Sequence, residues 1–169
     1  MTVDSFKFLP RLITFLYKSI EREPQIPIPW TPLAKPINES KFALVTTGGL
    51  YDKSHSEPFD LEREIEEATW GDPSYRMIRK DFAQENIRVS HLHINPEAPE
   101  ADINVLLPIE RMSTLADEGI IGGVADTHYS FMGFQGYPPT TDEWVNTYAP
   151  EVIQRMKDEE VDCVLLTPA

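Results

Sequence analysis

The sequence predicts a single α/β domain over residues 1–169, a three-layer sandwich around a mostly parallel sheet of Rossmann-like or flavodoxin-like type. Residues 42–45 form a short apolar run without alternation, which is typical of a strand buried on both faces of a parallel sheet. Residues 161–166 repeat this pattern near the other end of the chain. Helix-like and strand-like segments alternate between the two runs, as they do in three-layer α/β proteins.

Composition indicates a globular protein and argues against some classes of partner. Of the 169 residues, 41% are hydrophobic and 25% are charged, which are ordinary values. The net charge of −13 argues against nucleic acid and against an anionic membrane surface. Cys163 is the one cysteine, which fits a reducing compartment, and its apolar neighbours predict a buried, structural thiol. No apolar run approaches the ~20 residues of a membrane span, so we expect a cytoplasmic protein.

Two segments precede the α/β core, which is predicted over 41–169. Residues 1–20 have an amphipathic pattern in which basic residues interrupt the apolar ones, and this favours a helix. Such a helix packs on the body of the domain or on a second subunit, so a homodimer is one expectation. Residues 23–40 contain five prolines between Pro24 and Pro36, which predict an ordered, extended strap.

Four small residues follow the first predicted strand directly: Thr46, Thr47, Gly48 and Gly49. The glycines permit a tight turn and let a ligand approach the backbone closely. Because open α/β sheets bind ligands at the carboxyl ends of their strands, we predict that these four residues bind substrate. The turn lacks the spacing of a Walker A loop or a dinucleotide-binding fingerprint, which leaves a small anionic substrate.

The middle of the chain predicts an excursion and two further strands. Residues 51–69 are strongly charged with few apolar positions, and we expect an irregular excursion over the active face. Residues 75–79 predict a strand. Residues 86–93 alternate with period two, which predicts a half-exposed strand with His91 and His93 on one face.

The last third of the chain predicts two helices around an extended segment. Residues 108–119 begin with proline and end with glycine, the asymmetry that helices favour. Residues 120–129 predict a strand or an extended approach to a loop. A final helix is predicted over 142–159, with a kink or break near Ala149 because Pro150 lies within it.

Asp126, His128 and Tyr129 are the candidate catalytic residues. They place a carboxylate, an imidazole and a phenol within four residues after an apolar stretch. Such a loop performs proton transfer to a leaving group if the histidine titrates near neutrality. An ordinary polar turn after a strand is the alternative interpretation.

The histidines also raise the question of a metal. His91, His93 and His128 together supply three imidazoles, enough for zinc or non-haem iron. His-x-His is common by chance, and hydrogen-bonded histidines that line the site are the simpler interpretation. We therefore predict that His91 and His93 contact substrate and that no metal is bound, with a metal-dependent hydrolase as a third functional hypothesis.

Six segments resemble a known family. They are Pro29-Trp30-Thr31-Pro32, Ala43-Leu44-Val45-Thr46-Thr47-Gly48-Gly49-Leu50-Tyr51, Thr69-Trp70-Gly71-Asp72-Pro73-Ser74-Tyr75-Arg76, Val89-Ser90-His91-Leu92-His93, Val124-Ala125-Asp126-Thr127-His128-Tyr129-Ser130-Phe131-Met132-Gly133 and Val161-Asp162-Cys163-Val164-Leu165-Leu166-Thr167-Pro168. Together they resemble the short members of the glycine/sarcosine/betaine/D-proline reductase selenoprotein B family. The likeness extends over the whole sequence.

The resemblance implies an oxidoreductase with a disulfide as acceptor. It implies reductive cleavage of a small substrate, at a carbon–nitrogen or similar bond, by a selenol or thiol, with a dithiol as electron donor and no other cofactor. In the family the redox selenocysteine or cysteine follows the strand that ends in Leu-Thr-Pro, and this sequence ends there, at Ala169. We therefore expect a chain cut at a misread UGA codon and inactive at this length. The alternative is a non-catalytic domain of the same fold that binds a small ligand.

Overall fold

The computed structural model describes Arg11, Phe15 and residues 31–67, 69–136 and 139–169. The chain divides into two units, Met1–Pro32 and Leu33–Ala169, and the architecture below is that of the second. Arg11 and Phe15 are helical. The rest of the predicted amino-terminal helix, and the strap as far as Trp30, lie outside the described residues.

Strand β1 (Lys41–Thr46) is the central strand of the main sheet. Strand β7 (Cys163–Thr167) runs parallel to it on one side, with Phe42 opposite Cys163 and Thr46 opposite Thr167. On the other side β1 pairs in parallel with β5 (Gly123–Val124) and then with β6 (Thr127–Phe131). The first and last predicted strands are therefore neighbours whose carboxyl ends meet at one edge.

The remaining strands make the architecture more mixed than predicted. Strand β3 (Tyr75–Arg79) lies antiparallel to β6. Strands β2 (Leu50–Asp52) and β4 (Ile87–Val89) form a separate antiparallel pair. The α/β class and the mostly parallel sheet are confirmed. The Rossmann-like or flavodoxin-like arrangement is not, because β2, β3 and β4 intervene between β1 and its parallel partner β5.

Two predicted segments differ from the observed elements. The strand predicted over 86–93 ends at Val89, because its partner β2 offers only three residues for pairing. His91 and His93 consequently lie in the loop that follows. The excursion predicted over 51–69 is not wholly irregular, since it contains most of β2 and the helix α1 (Leu61–Glu66).

Three further helices are α2 (Glu97–Ala101), α3 (Ile109–Asp117) and α4 (Ala149–Asp158). Helix α3 occupies the segment predicted from its flanking proline and glycine. A π-helical turn, Trp144–Tyr148, precedes α4, and the change to α-helix falls at Ala149. The helix therefore continues through Ala149 with a change of hydrogen-bond pattern there, which fits Pro150, because proline has no N–H to donate to the preceding turn.

Apolar cores cover both faces of the main sheet, in keeping with a layered α/β protein. One core includes residues of β1, β2, β3, β4 and α3: Leu44, Leu50, Ile78, Ile87, Ile103, Leu107, Ile109, Met112 and Ile121. The other lies between the sheet and α4: Ala43, Ala125, Tyr129, Phe131, Val152 and Met156. The alternation along β1 explains this division, because Ala43 and Leu44 point to opposite faces.

Strand β7 is less buried than its apolar sequence predicts. Val164 is 45% exposed and Leu166 is 67% exposed. In the described residues β7 pairs with β1 alone, so its outer edge has no neighbouring strand. Cys163, predicted to be buried, is half-buried at the beginning of this strand. Among the helices of the described ranges, none is long and apolar enough to cross a membrane.

Candidate functional site

Two threonine hydroxyls hold the carboxyl ends of β1 and β7 together. Thr46 Oγ1 donates a hydrogen bond to the carbonyl oxygen of Thr167 at 2.8 Å and accepts one from the N–H of Gly48 at 3.2 Å. Thr47 Oγ1 accepts a hydrogen bond from the N–H of Ala169 at 2.9 Å. The turn predicted to bind substrate is therefore in direct contact with the residues that follow the last strand.

The two glycines of this turn allow a second loop to approach it. Gly49 has φ +64°, and a Cβ added there would lie 2.5 Å from the carbonyl oxygen of Ser90 and 3.1 Å from Cβ of His91. The N–H of Ser90 donates to the carbonyl oxygen of Gly49 at 2.8 Å. Gly48 is less constrained, because its added Cβ would lie 2.7 Å from Cδ1 of Leu106, the end of a flexible side chain. The loop after β4 thus contacts the turn after β1.

The end of β6 reaches the same edge of the sheet. Met132, just after β6, forms an isolated antiparallel bridge with Gly48. A Cβ added at Gly133 would lie 3.1 Å from the carbonyl oxygen of Thr47 and 3.2 Å from that of Ala169. Backbone from the ends of three strands therefore surrounds one position, as expected for a ligand site in an open α/β sheet.

His91 and His93 lie in the loop at this edge, with ring centroids 5.9 Å apart. The N–H of His93 donates to His91 Nδ1 at 3.1 Å, so neutral His91 carries its hydrogen on Nε2. Burial lowers the pKa of His91, and the neighbouring His93 lowers it further. The neutral ring therefore offers an Nε2–H donor, which suits a carboxylate ligand.

Glu64 is a residue that the sequence interpretation missed. It lies in α1, is 3% exposed, and neither of its carboxylate oxygens has a hydrogen-bond partner in the described residues. Burial raises the pKa of this carboxyl, while the charge of His93 opposes the rise and that of Asp72 adds to it. No sequence signal marks it, because hydropathy predicts that the adjacent Ile65 turns inward instead.

Asp72, the other acidic group of this region, has its own partners. Its carboxylate accepts hydrogen bonds from the N–H groups of Asp60 at 3.1 Å and Ser74 at 2.9 Å. The guanidinium of Arg76 lies 3.7 Å from it. Asp72 therefore holds the surrounding turns together through hydrogen bonds, and Arg76 is the cation paired with its carboxylate.

The predicted catalytic residues Asp126, His128 and Tyr129 do not form an exposed loop, because Thr127–Phe131 is strand β6. His128 is fully buried, and its Nδ1 accepts a hydrogen bond from the N–H of Leu44 at 3.2 Å. Burial, aided by the charge of Lys80, lowers the pKa of His128 to about 4. The ring thus satisfies a backbone donor at the interruption between β5 and β6.

Tyr129 and Asp126 are separated from His128 and from each other. Tyr129 points into the core against α4, where burial raises its pKa to about 12 and its ring centroid lies 5.8 Å from that of Tyr75. Asp126 lies at the amino-terminal edge of the sheet and pairs with Lys80, which lowers the pKa of its carboxyl. The structure therefore does not bring the three side chains together, and their catalytic roles stay a prediction.

The structure does gather the residues predicted to bind substrate. Thr46, Thr47, Gly48, Gly49 and His91 meet at the carboxyl edge of the sheet, with His93 beside His91. Within the described ranges no three histidine, cysteine, aspartate or glutamate side chains lie close enough to hold a metal ion. The imidazole cluster required by the hydrolase hypothesis is thus not formed.

Comparison with known proteins gives one family and several relatives. Residues 20–169 match the family described as Glycine/sarcosine/betaine reductase selenoprotein B (GRDB). The chain is 34% identical over 154 residues to D-proline reductase subunit gamma of Acetoanaerobium sticklandii, which covers 89% of this chain and 59% of that subunit. No solved structure matches.

Two further relatives carry related names. Over 167 residues the chain is 28% identical to Glycine reductase complex component B subunit gamma of Symbiobacterium thermophilum, covering 99% of this chain. It is also 28% identical over 170 residues to Betaine reductase complex component B subunit beta of Peptoclostridium acidaminophilum, covering 93% of this chain. The chain spans 36% of the length of each of these two relatives.

Proposed function

The chain belongs to the glycine/sarcosine/betaine reductase selenoprotein B family, and from this we propose that it is a component of a reductase complex that cleaves a carbon–nitrogen bond of a small amine substrate. Its relatives are named as subunits of D-proline, glycine and betaine reductases. We place the substrate at the carboxyl edge of the main sheet, where the turn after β1 and the loop after β4 meet.

The proposed reaction is a two-electron reduction. The carbon–nitrogen bond of the substrate breaks, the carbon gains a hydrogen, and the nitrogen leaves as a protonated amine. A dithiol becomes a disulfide and supplies the electrons. A selenol or thiol would provide the nucleophile for this chemistry, and the residues of this chain would bind and orient the substrate.

Each residue of the edge has a role in this proposal. Thr46 and Thr47 fix the end of β7 against the turn through their hydroxyls. Gly48 and Gly49 keep the turn free of side chains, so a ligand can approach the backbone. His91 donates from Nε2 to the carboxylate that amino-acid substrates carry, and its lowered pKa keeps the ring neutral near pH 7.

One observation carries the proposal: the hydroxyls of Thr46 and Thr47 bind the backbone of Thr167 and Ala169. A reactive group presented at the carboxyl end of β7 would therefore face the turn that is proposed to hold the substrate. Buried His128 is not needed at this position.

The test uses the native complex that contains this chain, purified from its own host. D-proline, sarcosine, glycine and betaine are each incubated with dithiothreitol, and the products are measured by mass spectrometry. We expect dithiol-dependent cleavage of at least one substrate. Thr47→Val should lower kcat/KM about tenfold, because the bond to Ala169 is lost, whereas Thr47→Ser should retain the activity.

Two results would contradict the proposal. Tight binding of a small carboxylate without dithiol-dependent turnover would support the alternative, a non-catalytic ligand-binding domain. Equal activity of the Thr47→Val and Thr47→Ser variants would show that the contact between the turn and the end of β7 is irrelevant to the reaction.

A further inference from the structure

Helix α1 buries an acidic side chain and exposes an apolar one, the reverse of what hydropathy predicts. Ile65 is 66% exposed, whereas its neighbour Glu64 is 3% exposed. Burying an isoleucine would stabilise the fold, whereas burying a carboxylate lowers its stability unless the charge is paired. Packing alone would therefore turn this helix the other way.

The carboxylate of Glu64 is also unpaired. Neither oxygen accepts a hydrogen bond in the described part of the chain. The charged groups that act on it are His93 and Asp72, and the negative charge of Asp72 repels it. The guanidinium of Arg76 lies 3.7 Å from Asp72 and is not among the charges that act on Glu64. A cation bound beside Glu64 would offset the energetic cost of burying its negative charge.

The charged neighbour of Glu64, His93, belongs to a pair of aromatic rings. The ring of His93, whose charge acts on Glu64, stands 5.8 Å from the ring of Phe134, at an angle of 66°. Alkylammonium groups bind to a carboxylate combined with aromatic faces, because the rings attract the charge and exclude water. His93 is exposed, so this side of the proposed site is open to solvent.

We propose that Glu64 is the counter-ion for the cationic nitrogen of an amine ligand, bound between its carboxylate and the rings of His93 and Phe134. The inference rests on the proposed function for the class of ligand. It deepens that function by assigning a site to the nitrogen of the substrate, beside the loop whose His91 contacts the turn after β1.

The test measures whether positive charge on the ligand is recognised. Betaine and 3,3-dimethylbutanoate share a carboxylate and a similar shape, but the quaternary atom is a charged nitrogen in the first and a neutral carbon in the second. Binding of each to the native complex is measured by isothermal titration calorimetry at pH 7. We expect betaine to bind at least about tenfold more tightly.

Variants then locate the recognition. Glu64→Gln keeps the shape of the side chain and removes its charge, so the preference for betaine should disappear while binding of 3,3-dimethylbutanoate stays unchanged. Glu66→Gln, in the same helix but exposed, is the matched control and should keep the preference. Circular dichroism checks that both variants are folded.

The outcomes separate this inference from the proposed function. Absence of a preference in the wild-type protein, or its persistence in Glu64→Gln, would overturn the ammonium site. Loss of the preference in Glu64→Gln without any dithiol-dependent turnover by the wild type would keep the site and refute the reductase. If Glu64→Gln fails to fold, the wild-type comparison of the two ligands still decides whether charge is recognised.

Discussion

The charged groups at the amino-terminal and carboxyl-terminal edges of the main sheet differ in their burial and in their partners. At the amino-terminal edge, Lys80 pairs with Asp126 and Lys35 pairs with Asp162 at 2.9 Å, all with access to solvent. At the carboxyl edge, Glu64 is buried without a hydrogen-bond partner in the described residues. The acids of the amino-terminal edge thus have ion-pair partners and are exposed to water. Glu64, in contrast, has neither a hydrogen-bond partner in the described residues nor access to water.

The two kinds of charged group affect stability differently. Exposed ion pairs contribute little to stability, because water solvates the separated ions nearly as well. A buried carboxylate without a partner lowers stability, and groups of this kind are concentrated at functional sites. The turn and loops of the carboxyl edge are also packed backbone against backbone, which fixes their geometry.

The largest expected effect concerns that close packing. Gly49→Ala should lower the free energy of unfolding by about 4 kcal/mol, because alanine is strained at φ +64° and its Cβ would lie 2.5 Å from the carbonyl oxygen of Ser90. Urea unfolding at pH 7 measures the change. The loop with His91 should also lose its contact with the turn.

Gly119 provides the matched control. It also has a positive φ, +71°, but nothing lies within 4 Å of an added Cβ. Gly119→Ala should therefore cost only about 1 kcal/mol, the conformational penalty alone. Equal losses in the two variants would show that the carboxyl edge is not more tightly packed than an ordinary helix end.

His128 lies between the two edges, and its burial predicts that the stability of the fold depends on pH. Its folded-state pKa of about 4 is below the ordinary value of about 6.5. Burial of the neutral imidazole therefore contributes its full stabilisation of the folded state above about pH 6.5. This contribution is lost as the pH falls to about 4. The loss should be about 3 kcal/mol, measured by urea unfolding across this range.

One variant assigns this loss to His128. His128→Gln should show a flatter pH dependence of unfolding than the wild type between pH 6.5 and pH 4, because the variant has no imidazole there to protonate. Parallel curves for wild type and His128→Gln would mean that His128 is not buried as a neutral ring.

Local sequence patterns predicted much of the fold. The apolar runs that became β1 and β7 and the proline and glycine around α3 act through short-range stereochemistry, which a sequence displays directly. The exposure of β7 and the short β4 depend on which strand lies alongside. Pairing is a property of the tertiary structure, and the chain does not show it locally.

The candidate site divides in the same way. The turn 46–49 was predictable, because the carboxyl end of a parallel strand is a general ligand position. The loop of Asp126, His128 and Tyr129 was predicted from polar residues close together in sequence, but in strand β6 successive side chains point to opposite faces. Glu64 was missed because a buried glutamate opposes the hydropathy from which burial is predicted.

The smallest expected effect lies at the amino-terminal edge. Lys80→Met removes the partner of Asp126, whose pKa is lowered mainly by that ammonium group. The pKa of Asp126, followed by NMR, should rise toward its ordinary value, while urea unfolding should detect no change, because both side chains are about half exposed. Arg79→Met should move the pKa of Asp126 less, since Arg79 pairs with Asp81 at 3.3 Å and is a weaker influence on Asp126. A clear drop in stability in Lys80→Met would show that this pair is structural, and the contrast between the two edges would then rest on the buried Glu64 alone.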